Sequence, residues 1–380
     1  MKIINMNHAA TSPTKPAEVK QAVISYLDEN NHLNLNRGNA ELESVEIALE
    51  ARMTLGSFFE QINPSNIVFS SGATESLNMA INGFVTPGCH VISTSLEHNS
   101  VSRPLDLLEQ KGLIETTYLP CNIDGTLDPN SIRKYIKSNT RLLVATHASN
   151  VLGTILPTSE LFSIAKEYGI YTVLDSAQSV GHIEVKSDDN TDVIAFAGHK
   201  GLRGFPGIGG MVLSKLAAKD MQVWKAGGTG SHSQSLEMPS FLPDKFEPGT
   251  QNIIGMISLR EAVKVVEKEG INNIREQEKA LISHMIDGLS SLPVTIHGTK
   301  DKTKSVPVVS ISIPEKDVGL IANTLLKDYG IYTRSGLHCS PLAHKTAGTF
   351  PEGTLRFSFS SDTKKEEIDT VISSLEQILC

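Results

Sequence analysis

Short apolar segments alternate with segments of helical periodicity between residues 66 and 213, and this alternation strongly constrains the fold. The apolar segments predict strands at 66–70, 90–94, 115–119, 141–147, 171–175, 192–196 and 210–213. The segments between them predict helices at 76–84, 100–111, 129–137 and 158–168. Strands that alternate with helices form a largely parallel sheet covered by helices. We therefore predict an α/β fold whose large domain holds a mostly parallel sheet of seven strands.

The regions on either side of this alternation predict further helices and a smaller second domain. Two helices are predicted before it, at 16–30 and 41–59, and a long polar loop follows it at 224–247. The remaining pattern is that of an α+β unit, with elements at 255–269, 271–289, 294–297, 308–312, 332–334, 355–359 and 365–379. A chain of 380 residues is long enough for two domains. We predict a large domain at 15–255 and a small α+β domain formed by 1–14 and 256–380.

Charge and composition exclude some classes of partner. The net charge is -8, the pI is near 5.9, and there is no basic stripe, so we expect no nucleic-acid partner. No apolar run approaches membrane-spanning length and the N-terminus lacks the apolar core of a signal peptide, so we expect no membrane partner. The four cysteines lack metal-ligand spacing, which predicts no metal site and free thiols in a reducing cytoplasm.

Polar residues follow the predicted strands, at the edge where such sheets collect ligands. The turn at 71–75 offers backbone N–H groups and the Thr74 hydroxyl, which suit a phosphate at a helix N-terminus or an ordinary helix cap. His98 suits ring stacking or proton transfer, and equally a loop histidine. Asn150 suits a donor to a ring oxygen or a turn asparagine.

Two further strand ends carry groups of opposite charge. Asp175 directly follows an apolar strand, where a buried carboxylate needs a cationic partner such as a protonated ring nitrogen, unless it caps the next helix. Lys200 lies in the glycine-rich loop 198–210, where exclusion of water would make its amine a nucleophile, unless the loop is an exposed hairpin. Taken together, the five strand ends describe a pocket for pyridoxal 5'-phosphate (PLP).

The order of these motifs resembles the cysteine desulfurases, which are fold-type I PLP-dependent transferases of the class V aminotransferase group. The motifs are Ser71-Gly72-Ala73-Thr74-Glu75, Glu97-His98-Asn99, Ser149-Asn150-Val151-Leu152-Gly153, Asp175-Ser176-Ala177-Gln178 and Gly198-His199-Lys200. The resemblance covers essentially the whole chain and starts at Asn7-His8-Ala9-Ala10-Thr11.

The resemblance implies a role for each matching residue. Lys200 would form the Schiff base with PLP, and the other cofactor-binding residues would be Ala73, Thr74, His98, Asp175, Gln178, His199 and Thr250. The residues that would bind the substrate are Ala10, Asn150, Arg334 and Arg356. Thr250 would reach the phosphate from the other subunit of a homodimer. One position departs from the family pattern, because Ala197 stands where the family usually has Ser or Thr.

Cys339 is the cysteine best placed for chemistry. It lies between His338 and Ser340 in a glycine-containing segment, where a thiol is exposed or is simply a small buried apolar group. Cys89 and Cys121 suit the buried role better, and the terminal Cys380 has no predicted role. In the family this segment presents the catalytic thiolate that takes sulfur from the substrate as a persulfide.

The resemblance implies conversion of L-cysteine to L-alanine, with Lys200, Cys339 and His98 as catalytic residues and a possible sulfur-acceptor protein as partner. Only 17 positions separate Cys339 from Arg356, which resembles the group II enzymes that include selenocysteine lyases. A selenocysteine lyase, another class V lyase, epimerase or aminotransferase, and a non-enzymatic sulfur carrier remain open as alternatives.

Overall fold

A computed structural model describes residues 3–29, 37–61 and 63–379, and its strands form three sheets. The strands are β1 (Ile4–Asn5), β2 (Ile67–Ser70), β3 (Cys89–Thr94), β4 (Ile114–Leu119), β5 (Thr140–Thr146), β6 (Tyr171–Asp175), β7 (Val193–Ala197), β8 (Gly209–Leu213), β9 (Thr295–His297), β10 (Val308–Ser312), β11 (Ile331–Tyr332), β12 (Arg334–Gly336) and β13 (Thr354–Ser358). The terminal Cys380 lies outside the described residues.

The described helices lie mainly between the strands. They are α1 (Ala17–Glu29), α2 (Arg37–Phe58), α3 (Ala73–Phe84), α4 (Asn99–Gln110), α5 (Thr158–Glu167), α6 (Lys215–Asp220), α7 (Ile253–Glu269), α8 (Ile271–Leu289), α9 (Val318–Tyr329), α10 (Pro341–Thr346) and α11 (Lys365–Leu379). Short 3-10 helices cover Pro64–Asn66, Pro129–Lys134 and Lys302–Lys304. None of the helices in the described ranges has the length and apolarity needed to cross a membrane.

The large sheet has seven strands in the order β2-β8-β7-β6-β5-β3-β4, which confirms the predicted mostly parallel sheet. Neighbouring strands from β4 through β7 pair in parallel. Strand β8 alone runs the other way, because it pairs antiparallel with both β7 and β2. The carboxyl ends of the six parallel strands therefore meet at one edge of the sheet.

Alternating apolar residues on these strands form a core on each face of the large sheet. Val91 packs into one cluster with α3, while its neighbour Ile92 packs into the other cluster with α2, α5 and α7. Both faces are therefore covered, as the continuous apolar character of the strands requires.

A second, antiparallel sheet has the order β12-β13-β10-β9 and a core of its own with α8, α9 and α11. The N-terminal strand β1 pairs in parallel with β11, which ties the start of the chain to this second layer. The division into two domains stays a prediction. Helix α7 packs against α1 and α2.

Two predicted elements are wrong in detail. The helix predicted at 129–137 is a six-residue 3-10 helix, since the Tyr135 amide bonds to the Ile132 carbonyl three residues back. The strand predicted at 332–334 is two strands, because β11 pairs with β1 whereas β12 pairs with β13 in another sheet.

Candidate active site

A cavity of about 300 Å³ lies at the carboxyl edge of the large sheet. Its volume is at the lower end of the range for small-molecule pockets. Eleven of the thirteen predicted site residues line it: Ala10, Ala73, Thr74, His98, Asn150, Asp175, Gln178, His199, Lys200, Arg334 and Arg356. Cys339 and Thr250 are not among the lining residues. The strand ends therefore bring together the residues that the sequence singled out, and the roles of these residues stay predictions.

Lys200 follows β7 in a tight loop and is partly buried. The loop closes through the Gly204 amide, which donates to the Gly198 carbonyl at 2.8 Å. A Cβ atom on Gly201 would lie 2.3 Å from the Val180 carbonyl oxygen, so this position requires glycine. Loss of hydration lowers the pKa of Lys200, and the nearby Asp175 carboxylate opposes that effect. The loop thus favours a neutral, nucleophilic amine.

Asp175 ends β6 and is 4% exposed. One of its oxygens accepts a hydrogen bond from the Ala177 amide at 3.0 Å, and no ion pair to it occurs among the described residues. Burial raises the pKa of its carboxyl group, while that hydrogen bond and the charge of Lys200 act in the other direction. A buried carboxylate with so little compensation beside a cavity suits a cationic ligand.

His98 is the N-cap residue of α4 and also lines the cavity. Its Nδ1 accepts a hydrogen bond from the Ser100 amide at 3.0 Å, so the proton of the neutral ring is assigned to Nε2. Burial lowers its pKa to about 4, and the positive charges of Lys200 and Arg334 act in the same direction. His98 is therefore a neutral ring with an N–H group to donate.

The N-terminus of α3 lines one side of the cavity. Thr74 lies in its first turn, and its hydroxyl is 2.7 Å from the hydroxyl of Ser100. The backbone N–H groups of this first turn carry the positive end of the helix dipole, which favours a phosphate. His199 lines the same cavity, and its Nδ1 is 3.0 Å from the Thr11 hydroxyl.

Arg356 and Gln178 are fixed by the backbone and side chains of other segments. The Arg356 guanidinium is 1% exposed and donates to the Asn150 carbonyl and to Asn7 Oδ1, both at 2.9 Å. Its Nε has no partner among the described residues. Burial lowers the pKa of Arg356 to about 9, with a further contribution from Arg334. The Gln178 amide donates to the Ala9 carbonyl at 2.9 Å.

Cys339 is exposed, as the sequence suggested, and lies 3.4 Å from a guanidinium nitrogen of Arg334. Cys89 is buried, and Cys121 is partly buried with a pKa raised by burial to about 11. Of the three described cysteines, Cys339 therefore has the exposure and the nearby cation that suit a nucleophilic thiol.

Thr250 is exposed and lies in a surface depression with Ser71 and Glu75, which also line the main cavity. It is thus close to the phosphate side without entering the cavity of its own chain. This position is compatible with a contribution across a subunit interface, which stays a prediction.

Sequence reasoning assigned no role to two buried groups at the site. His338 lines the cavity, is 3% exposed and bonds through Nε2 to the Thr354 hydroxyl at 3.1 Å. Glu97 lies between β3 and α4, is fully buried, accepts from the Thr146 amide at 3.0 Å, and has a pKa raised by burial to about 8. His338 and Glu97 are sequence neighbours of the predicted site residues Cys339 and His98, but only the three-dimensional packing shows that they are buried.

Comparisons with known proteins agree with this geometry. Residues 4–371 match the model of the family described as aminotransferase class-V. A probable cysteine desulfurase of Pyrococcus abyssi is 31% identical, with 100% of this chain and 94% of the relative covered. A cysteine desulfurase of Escherichia coli is 30% identical, with coverage of 97% and 92%.

A solved structure gives the same result at the level of the fold. The apo structure of a cysteine desulfurase from Thermococcus onnurineus superposes with a TM-score of 0.91 at 30% sequence identity, covering 99% of this chain and 94% of the other. The chain belongs to the class-V aminotransferase family and, within it, to the cysteine desulfurases.

Proposed function

We propose that this protein is a PLP-dependent cysteine desulfurase that moves the sulfur of L-cysteine onto Cys339 and releases L-alanine. The observation that carries the proposal is the exposed Cys339 thiol beside Arg334, which itself lines the cavity that holds Lys200 and Asp175. The full-length likeness to proteins named cysteine desulfurases supports the same reaction.

The residues of the cavity fit PLP. Asp175 would hold the protonated ring nitrogen, the first turn of α3 with Thr74 would hold the phosphate, and Lys200 would hold the aldehyde carbon through its Nζ. The neutral ring of His98 would stack on the cofactor ring. When bound, PLP withdraws electrons from the α carbon of the substrate.

The chain's own residues supply the remaining steps. Arg356 and Arg334 line the cavity and would bind the substrate carboxylate, for which a guanidinium is well suited. The free amine of Lys200, whose pKa is lowered by desolvation, would take the α proton. The Nε2–H of the neutral His98 ring would donate a hydrogen bond at the reacting end of the substrate.

The sulfur-transfer step balances without another reactant. The Cys339 thiolate attacks the substrate sulfur, so a sulfur–sulfur bond forms as the carbon–sulfur bond breaks. The β carbon is reduced and gains a proton, and the sulfur atoms are oxidised to the persulfide. The products are one alanine and one Cys339 persulfide for each cysteine consumed.

The test compares alanine production from L-cysteine by two cysteine variants. Cys339→Ala is expected to lose at least a hundredfold of the rate, because the attacking sulfur is gone. Cys121→Ala removes a partly buried thiol and is expected to keep the wild-type rate. Equal alanine production by the wild type and Cys339→Ala would contradict the proposal. The same assay with selenocysteine distinguishes a selenocysteine lyase by its higher rate on that substrate.

We further propose a cytoplasmic homodimer in which Thr250 completes the partner's phosphate site. Thr250 borders a surface depression lined by Val45 and Leu49, which are 66% and 50% exposed on α2. Such apolar side chains suit coverage by a second copy of the chain. Light scattering tests this: a dimer has twice the chain mass of 41.1 kDa, and a monomer at working concentration contradicts it.

A further inference from the structure

The side chain of Asn150 forms a hydrogen bond on each side of Cys339. Its Nδ2 donates to the His338 carbonyl at 2.8 Å, and its Oδ1 accepts from the Ser340 hydroxyl at 2.7 Å. Asn150, His338 and Ser340 are 7%, 3% and 0% exposed. Two buried hydrogen bonds therefore bracket the one exposed thiol among the described cysteines.

The same asparagine also faces the substrate side of the site. Asn150 lines the main cavity, and its backbone carbonyl accepts from Arg356. Its amide nitrogen carries two N–H groups. The bond to His338 occupies one of them, and no second acceptor is found among the described residues. Asn150 thus contacts the segment 338–340 and Arg356, and it lines the cavity.

The backbone at Cys339 requires such contacts. His338 has φ 49° and Cys339 has φ 61°, so two successive residues with side chains adopt the left-handed region. This region is unfavourable for residues other than glycine and persists where the surrounding structure holds it. The Asn99 amide adds a third bond, to the Cys339 carbonyl at 2.8 Å. In this conformation the thiol lies 3.4 Å from Arg334.

We propose that Asn150 is a positioning residue for sulfur transfer: with Ser340 it clamps the segment 338–340 so that the Cys339 thiol is held beside Arg334, which lines the cavity. This deepens the proposed function and rests on it. The step concerned is the attack of the Cys339 thiolate on the substrate sulfur, as balanced above. The clamp is distinct from the contact to the substrate carboxylate that the family resemblance implies for Asn150.

Ser340→Ala tests the clamp, because Ser340 is not among the residues that line the cavity. In the PLP-loaded protein, the rate of persulfide formation on Cys339 is measured by mass spectrometry after mixing with L-cysteine. Loss of one buried hydrogen bond is expected to slow it about fivefold. The affinity for L-cysteine, measured from the cofactor absorbance, is expected to stay unchanged.

Two further variants define the effect. Asn150→Ala removes the hydrogen bonds to His338 and Ser340 and also the amide that faces the cavity. Both the rate of persulfide formation and the affinity for L-cysteine are therefore expected to fall. Ser335→Ala changes a half-buried serine of β12 whose side chain forms no hydrogen bond with the described residues, and it is expected to behave as the wild type. Wild-type persulfide formation by Ser340→Ala, or an equal loss in Ser335→Ala, overturns the clamp.

Hydrogen–deuterium exchange separates the clamp from the proposed function, since it needs no substrate. Peptides covering 337–341 are expected to exchange at least fivefold faster in Ser340→Ala and Asn150→Ala than in the wild type, with unchanged exchange in β6 and β7. Unchanged exchange at 337–341 overturns the clamp whatever the enzyme does. Absence of a Cys339 persulfide in the wild type overturns the proposed function and leaves the exchange result to decide the clamp.

Discussion

The Lys200 loop and the Cys339 segment hold their reactive groups in different ways. Lys200 lies at the end of a central strand, in a loop closed by backbone contacts that admit only glycine at position 201. Cys339 is exposed and has a left-handed backbone; its carbonyl accepts from the Asn99 amide, and Asn150 bonds to its neighbours His338 and Ser340. The difference matches the two proposed roles, because a nucleophilic amine requires exclusion of water, whereas a thiol that takes sulfur from a substrate must be accessible.

The largest effect is expected from Lys200→Ala. Because this amine would hold PLP covalently and take the α proton, the variant is expected to lose at least a thousandfold of the desulfurase rate. Borohydride reduction followed by peptide mass spectrometry is expected to attach the cofactor to Lys200 in the wild type and nowhere in the variant.

Lys186→Ala is the matched control, because Lys186 forms surface ion pairs with Glu60 and Glu184. It is expected to keep both the covalent cofactor and the rate. Cofactor attached at another lysine of the Lys200→Ala protein would contradict the proposal that Lys200 is the residue that binds PLP covalently.

The buried His338, next to Cys339, is expected to make the free energy of unfolding decrease at acidic pH. Burial lowers the pKa of His338 to about 2, with a further contribution from Arg356, whereas the unfolded value is near 6.5. Below pH 6.5 the unfolded chain therefore binds a proton that the folded chain does not. Stability from this group is full above pH 6.5 and is lost by about 1.4 kcal/mol per pH unit as the pH falls.

His338→Gln isolates this contribution. The free energy of unfolding in urea is measured at pH 7 and pH 5, and the loss between them is expected to be about 2 kcal/mol smaller in the variant than in the wild type. The exposed His232→Gln is the control and should show the wild-type loss. An identical loss in all three proteins would show that His338 is not held neutral by the fold.

A smaller effect is expected from Ala197→Ser. Ala197 is 5% exposed and lines the cavity where the family usually has a hydroxyl residue. One added hydrogen bond to the cofactor phosphate is expected to raise PLP affinity about fivefold. Equilibrium dialysis against PLP measures it, and unchanged or weaker binding would show that position 197 does not face the phosphate.

The sequence predicts the large sheet well because several of its strands, such as β7, are short apolar runs. It also singles out Asp175, which follows the apolar residues 171–174, and Lys200, which lies in the glycine-rich loop after β7. It misses α9, although Asp317 and Gly330 cap that helix at its two ends. These two capping residues are single positions, and they lie outside the region in which strands and helices alternate regularly.

The contact between Asn150 and His338 could not be predicted from the residues alone. The contact between Asn150 and the His338 carbonyl joins positions that are 188 residues apart. Neither residue type carries a local pattern that points to such a partner. The contact exists only because the small antiparallel sheet places β12 and the segment after it against the edge of the large sheet.

One measurement tests most directly whether the two regions act together. The PLP-loaded wild type is mixed with L-cysteine carrying a sulfur isotope, and every cysteine-containing peptide is analysed by mass spectrometry. We predict that the labelled sulfur is found as a persulfide on Cys339 and is absent from Cys89 and Cys121. Release of alanine with no labelled sulfur on Cys339 would contradict the account.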